Sequence, residues 1–356
     1  MTEMKRLSEK RYSAIQLGKI ANVSSGRDIY AQDRTPGNTP YVTAGTSNNG
    51  IGYFVGNDND SKASNSISVN RNGAIGESFY HPYKALYGND CRRVNLTEND
   101  SAEVQLFVTK CISAQKVAFS YGRKLGTARL KKLRIILPVN DAGNPDYDYM
   151  AEYTKEKCAT LLAKYRRYAE KCIATLGEEV AITSLNDKEW KDFVLEDLFS
   201  VGAGKRLTNA DKIDGKRPFI GATDNKNGIT GFVGNDNASR DQNVLGVNYN
   251  GAPCIAFYHP YECVFTDDVK RLHLLNYEDN KYVLLFFKTI VMQQRTKYSY
   301  GYKFNERRML RQKLMLPVND AGEPDYAYME QYAKNMMLRK YKQYLAYLDK
   351  KAEAGL

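Results

Sequence analysis

The chain has 356 residues, enough for two domains with separate cores, and 52 Lys and Arg against 41 Asp and Glu leave a formal net charge of +11. That excess suits an anionic partner such as nucleic acid, and no apolar run reaches the 18 residues a membrane helix needs. Six cysteines without a C-x-x-C pair and only three histidines exclude zinc-module spacing, so we expect no metal, no cofactor and a reducing environment.

The first residues, MTEMKRLSEKRY, lack the apolar stretch of a secretory signal, which predicts a soluble, cytoplasmic protein with no membrane partner. A short apolar segment, 15–20, leads into the glycine-bearing basic turn Ser25-Gly26-Arg27. Short segments at 40–42 and 52–55 follow, with Asn49-Gly50 and Asn72-Gly73 as tight-turn signals between strands. A helical stretch near 101–117 and a buried strand at 133–137 close this part. Asp146 is then an N-cap candidate for 146–176, which no Gly or Pro interrupts. Thirty-one helical residues at ~1.5 Å each make a rod of roughly 45 Å.

The order then recurs. An apolar segment at 194–199 precedes Gly204-Lys205-Arg206. Segments 218–220 and 231–233 follow with Asn227-Gly228 and Asn250-Gly251, then a helical stretch at 279–294 and a strand at 314–316. Asp325 opens a second uninterrupted stretch, 325–353. The recurrence is also literal. Residues 138–150 (PVNDAGNPDYDYM) match 317–329 (PVNDAGEPDYAYM) at eleven of thirteen positions. Residues 43–59 match 221–237 at ten of seventeen, and 70–83 match 248–261 at nine of fourteen. The offset is 178 in the last two blocks and 179 in the first, so one residue was inserted between Tyr261 and Ser299. A period this long exceeds a solenoid unit of roughly 20–50 residues and equals a whole domain. We expect two related α+β globules, mostly antiparallel sheet.

Cys158, Leu161, Tyr165, Tyr168 and Cys172 recur at 3-4-3-4 spacing. Met329, Ala333, Met337, Tyr341, Tyr344 and Leu348 trace a similar stripe. Such stripes serve ordinary core packing or a coiled-coil seam. We expect the two rods to pair as an antiparallel coiled coil. The expected layout is a domain at 1–145, a helix at 146–180, a related domain at 181–324 and a helix at 325–356.

This plan resembles the DNA specificity (S) subunits of type I restriction-modification systems and the similar subunits of type IIB systems. The residues that carry the likeness are the Gly-Arg or Gly-Lys turn, the loop Asn72-Gly73-Ala74-Ile75-Gly76, and the segment 121–137 leading through a strand and proline into a long helix. The LPPLxEQ run common at that joint is replaced by LPVNDAG-(Asn/Glu)-PDY, and 356 residues is short for a type I subunit, which leaves the subtype open. The resemblance implies that each globule is a target recognition domain reading one half of a split site in double-stranded DNA. It implies that the helices set the unread spacer, and that methyltransferase subunits, with or without a restriction or translocase subunit, dock on them and supply the catalysis.

Phosphate contacts position a protein and base-edge contacts specify, with Arg matching guanine in the major groove. Matching polar loops therefore nominate Arg27 with Lys205 and Arg206, Arg71 with Tyr249, and Tyr121, Arg123 and Lys124 with Tyr300, Tyr302 and Lys303. Arg71 and Tyr249 differ inside a shared Asn-x-Asn-Gly-Ala frame. Solvated turn residues are the plain alternative. The clusters Lys131-Lys132-Arg134 and Arg307-Arg308-Arg311 suit phosphate contacts or helix surface.

Motifs of catalysis fail on inspection. Asn144-Pro145-Asp146-Tyr147 departs from the Asn-Pro-Pro-Tyr of amino-methyltransferases, and no Gly-rich loop accompanies it. Gly202-Ala203-Gly204-Lys205-Arg206 lacks the first glycine and the Ser or Thr of a P-loop. Glu189-Trp190-Lys191 is an unduplicated E-x-K, and the repeated His81 and His259 have no acidic or Cys partner at a fixed short spacing. No catalytic residue is expected. A self-contained DNA-modifying enzyme of unusual motif, and a tandem carbohydrate- or protein-binding module, are the alternatives.

Overall fold

The computed structural model describes residues 6–298 and 301–353, and the chain folds as two units, Met1–Tyr165 and Arg166–Leu356. Unit 1 opens with β1 (Tyr12–Gln16), α1 (Leu17–Ile20), β2 (Ala21–Ser25), β3 (Pro36–Val42) and β4 (Ile51–Val55). It continues with β5 (Ser66–Asn70), β6 (Ser78–His81), β7 (Leu86–Tyr87), β8 (Cys91–Leu96), α2 (Ala102–Ser113), α3 (Thr127–Lys132), β9 (Arg134–Pro138) and the first part of α4 (Tyr147–Leu176), whose residues from Arg166 on belong to unit 2. Strands in the order β2-β8-β5-β6 make an antiparallel sheet, β4-β3-β7 a smaller one, and β1-β9 a ribbon.

Central strand β5 is buried along its whole length. Ile67 and Val69 face Val104, Val108 and Ile112, which recur every fourth residue on α2 and share a core with Leu130, Ile135 and Leu137. Each such side chain contributes about 1.5–3 kcal/mol on leaving water. The alternate residues of β5 are polar and are satisfied: Ser68 hydroxyl lies 2.9 Å from His81 Nε2, and Asn70 Nδ2 donates to Gly45 O. His81 is thereby part of the interior. Burial lowers its pKa to about 4, so the ring is neutral.

Unit 2 repeats the pattern with β10 (Trp190–Val194), α5 (Leu195–Leu198), β11 (Phe199–Ala203), β12 (Arg217–Ile220), β13 (Ile229–Val233) and β14 (Val244–Asn248). There follow β15 (Ala256–His259), β16 (Val264–Phe265), β17 (Val269–Leu274), α6 (Lys281–Gln293), α7 (Glu306–Leu310), β18 (Lys313–Pro317) and α8 (Tyr326–Glu353). The sheets are β11-β17-β14-β15, β13-β12-β16 and β10-β18. The inserted residue lies between β17 and α6. Leu96 and Leu274 end their strands at the offset of 178, whereas the helix caps Ser101 and Asn280 stand 179 apart. Within the mostly antiparallel sheets, β3 pairs with β7 and β12 with β16 in parallel. Two-residue strands such as β7 have no alternation that a sequence could display.

Both long helices start as expected. Asp146 Oδ1 accepts from Tyr149 N at 3.1 Å, and Asp325 Oδ1 from Tyr328 N at 3.0 Å. Their other carboxylate oxygens take Lys10 Nζ at 2.6 Å and Lys188 Nζ at 2.7 Å. Each lysine also sits over the ring of Tyr149 or Tyr328. Inside unit 2, Arg166 pairs with Asp349 at 2.7 Å, the Tyr168 ring meets Tyr341 edge-on at 6.1 Å, and Arg339 pairs with Glu179 at 3.1 Å. Numbers rising on α4 against numbers falling on α8 make this stretch antiparallel. The buried Asn335 ends it, donating to Val180 O and accepting from Val180 N.

The α8 stripe is divided. Met329 is fully buried in the core of unit 2, because the first turns of α8 still lie on the globule, and Met337 lines an apolar groove with Trp190, Phe286 and Met315. Cys158, Leu161, Tyr165 and Tyr344 are exposed. No helix among the described residues is long and apolar enough to cross a membrane.

Among the described residues, one charged cluster is found in unit 2 without a counterpart in unit 1. His273 Nδ1 lies 2.6 Å from Asp279 Oδ2, and its Nε2 lies 3.0 Å from Asp241 Oδ2, which also pairs with Arg271. Hydrogen bonds to Asp241 and Asp279 raise the imidazole pKa to about 9. Against an unfolded value of ~6.5, the charged ring adds stability that is complete below that pH and is lost as pH rises through about 9. Thermal melting of His273→Asn, which installs the residue found at the equivalent Asn95, should therefore lose less stability than wild type between pH 7 and 9.5. Parallel profiles for the two proteins would refute the assignment.

Candidate nucleic-acid interface

The nominated residues sit where glycine lets chain segments pass closely. A Cβ on Gly26 would strike the carbonyls of Tyr87 and Gly88, and one on Gly204 those of Thr266 and Phe265. Only a residue without a side chain fits, and the next residue is locked behind it: Arg27 N donates to Tyr87 O at 2.7 Å, and Lys205 N to Phe265 O at 2.8 Å. The exposed Arg27, Lys205 and Arg206 side chains are therefore displayed from a fixed backbone. Arg27 also reaches Asp60 Oδ1 at 3.5 Å. Gly204→Ala should lower the melting temperature by several degrees, in line with the ~1–3 kcal/mol cost of overpacking. Gly231→Ala, at a glycine with open space around it, should leave it unchanged. Equal melting of both variants would show that the close pass is not needed.

The end of β5 reaches the same place. Arg71 N donates to Asp90 O, and Arg71 Nη2 pairs with Asp90 Oδ1 at 2.9 Å. In unit 2, Tyr249 N donates to Asp268 O, while the Tyr249 ring packs on the core under Lys270 Nζ, 5.7 Å from its centroid. Tyr249 is thus half-buried rather than a free loop residue, because its ring covers apolar surface that an arginine would leave open.

The third segment is the loop before α3 and α7. Arg129 Nη1 donates to Lys124 O in unit 1, and Arg308 Nη1 to Lys303 O at 2.8 Å in unit 2, so one arginine pins each loop. Tyr121 is exposed, with Lys124 Nζ 4.4 Å above its ring and Arg123 turned toward Phe119. Tyr302 stacks on Tyr298 and carries the Arg308 guanidinium 3.8 Å above its ring. Tyr300 lies outside the described residues. Ser25 hydroxyl, 3.4 Å from Thr127 Oγ1, joins this loop to the glycine turn in unit 1. In unit 2 the loop is tied instead to β17, where Lys270 Nζ lies 2.6 Å from Glu306 Oε2.

Each unit thus gathers a basic turn, a strand end and a basic aromatic loop on one scaffold, side chains whose chemistry suits phosphates and base edges. The link residues Asp90, Lys270 and Glu306, and Arg92 beside Asp90 in β8, were not nominated from the sequence. A usable signal existed, since Arg92 and Lys270 are cations at one repeat position.

The profile of the type I restriction modification DNA specificity domain matches residues 9–164 and again 187–344. The chain belongs to this family. Its domain recurs once per unit, each match spanning a loop cluster. The specificity subunit S.BcgI of a type II restriction enzyme from Heyndrickxia coagulans is 38% identical over 333 residues, 92% of this chain and 94% of that protein. Among solved structures, the S subunit of a type I restriction-modification system from M. genitalium gives a TM-score of 0.45 at 18% identity, covering 99% of this chain and 97% of its own. The HsdS subunit from Thermoanaerobacter tengcongensis gives 0.32 at 11%, covering 95% and 91%.

Proposed function

We propose that the chain is a non-catalytic specificity subunit that binds a bipartite site in double-stranded DNA, one half per unit, and directs methyltransferase subunits to it. The observation that carries this reading is the duplication of a family domain whose two loop clusters keep one backbone and differ in side chains. A shared frame with Arg71 in one copy and Tyr249 in the other makes two related but unequal half-sites. The helices α4 and α8 set the unread spacer, with the antiparallel stretch around Tyr168 and Tyr341 as their joint, and offer the exposed Leu161, Tyr165 and Tyr344 to the methyltransferase. Likeness to a type II specificity subunit favours that arrangement over the type I form. Arg27, Arg71, Tyr121, Arg123, Lys124, Lys205, Arg206, Tyr249, Tyr302 and Lys303 are the DNA-contacting set.

The test is a methylome. Cells expressing the chain with its neighbouring methyltransferase should carry a split modified motif with a fixed gap, and cells lacking this chain alone should not. A modification pattern independent of the chain would overturn the reading.

A further inference from the structure

The two loop clusters carry opposite charge at equivalent positions. Unit 1 places Arg71, Asp90, Arg92 and Thr127 where unit 2 places Tyr249, Asp268, Lys270 and Glu306. Two cations and one carboxylate thus stand against one cation and two carboxylates. In unit 2, Lys270 is compensated twice, by Glu306 at 2.6 Å and by the face of Tyr249. In unit 1 neither compensation exists. The aromatic face is replaced by a second guanidinium, and the carboxylate by the hydroxyl of Thr127.

Arg92 is only 5% exposed. Its Nη1 donates to the carbonyls of Asn89 and Cys91, its Nε has no hydrogen-bond partner, and no carboxylate among the described residues pairs with it. Burial, with Arg71 beside it, lowers the Arg92 pKa. Arg71 Nε is likewise buried without a partner, and Asp90, the carboxylate whose charge partly offsets Arg92, is already engaged by Arg71 Nη2. A buried charge only partly compensated is costly, and an arriving anion removes that cost. Arg71, 29% exposed on its side chain, is the group an incoming anion can reach, with Arg92 behind it as a fixed positive field.

We propose that Arg71 and Arg92 form a phosphate site on unit 1 that unit 2 lacks, and that it takes one backbone phosphate of the DNA beside the first half-site. This rests on the DNA-reading function proposed above. Unit 1 is then the salt-sensitive anchor, and unit 2 holds its half-site with a smaller share of phosphate contact.

The test is the salt dependence of duplex DNA binding by the full chain. The two informative variants each install a unit 2 residue in unit 1: Thr127→Glu adds the missing carboxylate, and Arg71→Tyr restores the aromatic. Each neutralised phosphate contributes ~0.9 to the slope of log K against log salt. Each variant is expected to flatten that slope by about one and to bind about tenfold more weakly at low salt, while Glu306→Thr in unit 2 does neither of these. Should one variant fail to fold, by its melting curve, the other carries the result. Wild-type slope and affinity in the folded variants would overturn the phosphate site while leaving DNA reading intact. Absence of salt-dependent binding by wild type would instead overturn the function itself. Inorganic phosphate at constant ionic strength separates the sources: if it stabilises wild type but not Arg71→Tyr, and DNA binding is equal in both, the site takes free phosphate and the DNA assignment falls.

Discussion

Inserting four residues near the middle of both α4 and α8 should widen the unread gap of the methylated motif by about one to two base pairs and leave both half-motifs unchanged. Four residues add ~6 Å of helix, against ~3.4 Å per base pair. They also rotate the following turns by only about 40° beyond a full circle, so the stripe carrying Tyr168 still faces Tyr341. Two residues supply the control. They add half the length but rotate the helix by roughly 200°, which turns Tyr168 and Arg166 away from the partners they meet on α8. That variant should lose methylation altogether instead of shifting the gap. A gap that stays constant after the four-residue insertion would show that the helices do not set it. A change in either half-motif would show that the recognition loops had been disturbed.

The parts of this architecture that were legible in the sequence are those governed by local chemistry or by repetition. Asp146 and Asp325 announced helix starts because a short carboxylate before an uninterrupted stretch satisfies free N–H groups, and both do so. The Asn-Gly pairs marked real turns, with Asn49, Gly50, Asn227 and Gly228 all at positive φ. The repeat alone placed two equivalent loops. Interactions that join segments distant in sequence were not legible. Asp90 reaches Arg71 across nineteen residues and Lys270 reaches Glu306 across thirty-six, and no periodicity reports such contacts. The stripe on α8 misled in one respect. Its spacing is the same whether the residue faces a partner helix or its own globule, so only the fold separates Met329 in the core from Tyr341 against Tyr168.

The same contrast governs the joints that fix each long helix to its globule, where the second large effect is expected. Asp325→Ala removes the helix cap, worth about 1 kcal/mol, and strips Lys188 of its carboxylate in a pair whose side chains are 18% and 19% exposed. Breaking a buried pair costs about 3–5 kcal/mol when the remaining charge is fully enclosed; with this residual exposure the combined loss should be about 2–4 kcal/mol. Asp325→Asn separates the parts, because an amide still caps but no longer offsets the lysine. Trp190, the only tryptophan, lies in β10, so its fluorescence reports unit 2. Urea unfolding followed by that signal should shift strongly for Asp325→Ala, by an intermediate amount for Asp325→Asn, and little for Asp146→Ala in unit 1. At Asp146, burial raises the carboxyl pKa, but the Lys10 and Tyr149 hydrogen bonds outweigh it and the net shift is downward. Its contribution is therefore present above ~3.9 and is lost as pH falls below that value. The Asp146→Ala and Asp325→Ala losses should add in the double variant, since each joint is built within its own unit. A Trp190 transition that moved as far for Asp146→Ala as for Asp325→Ala would show that the two joints are coupled through the long helix they were taken to anchor separately.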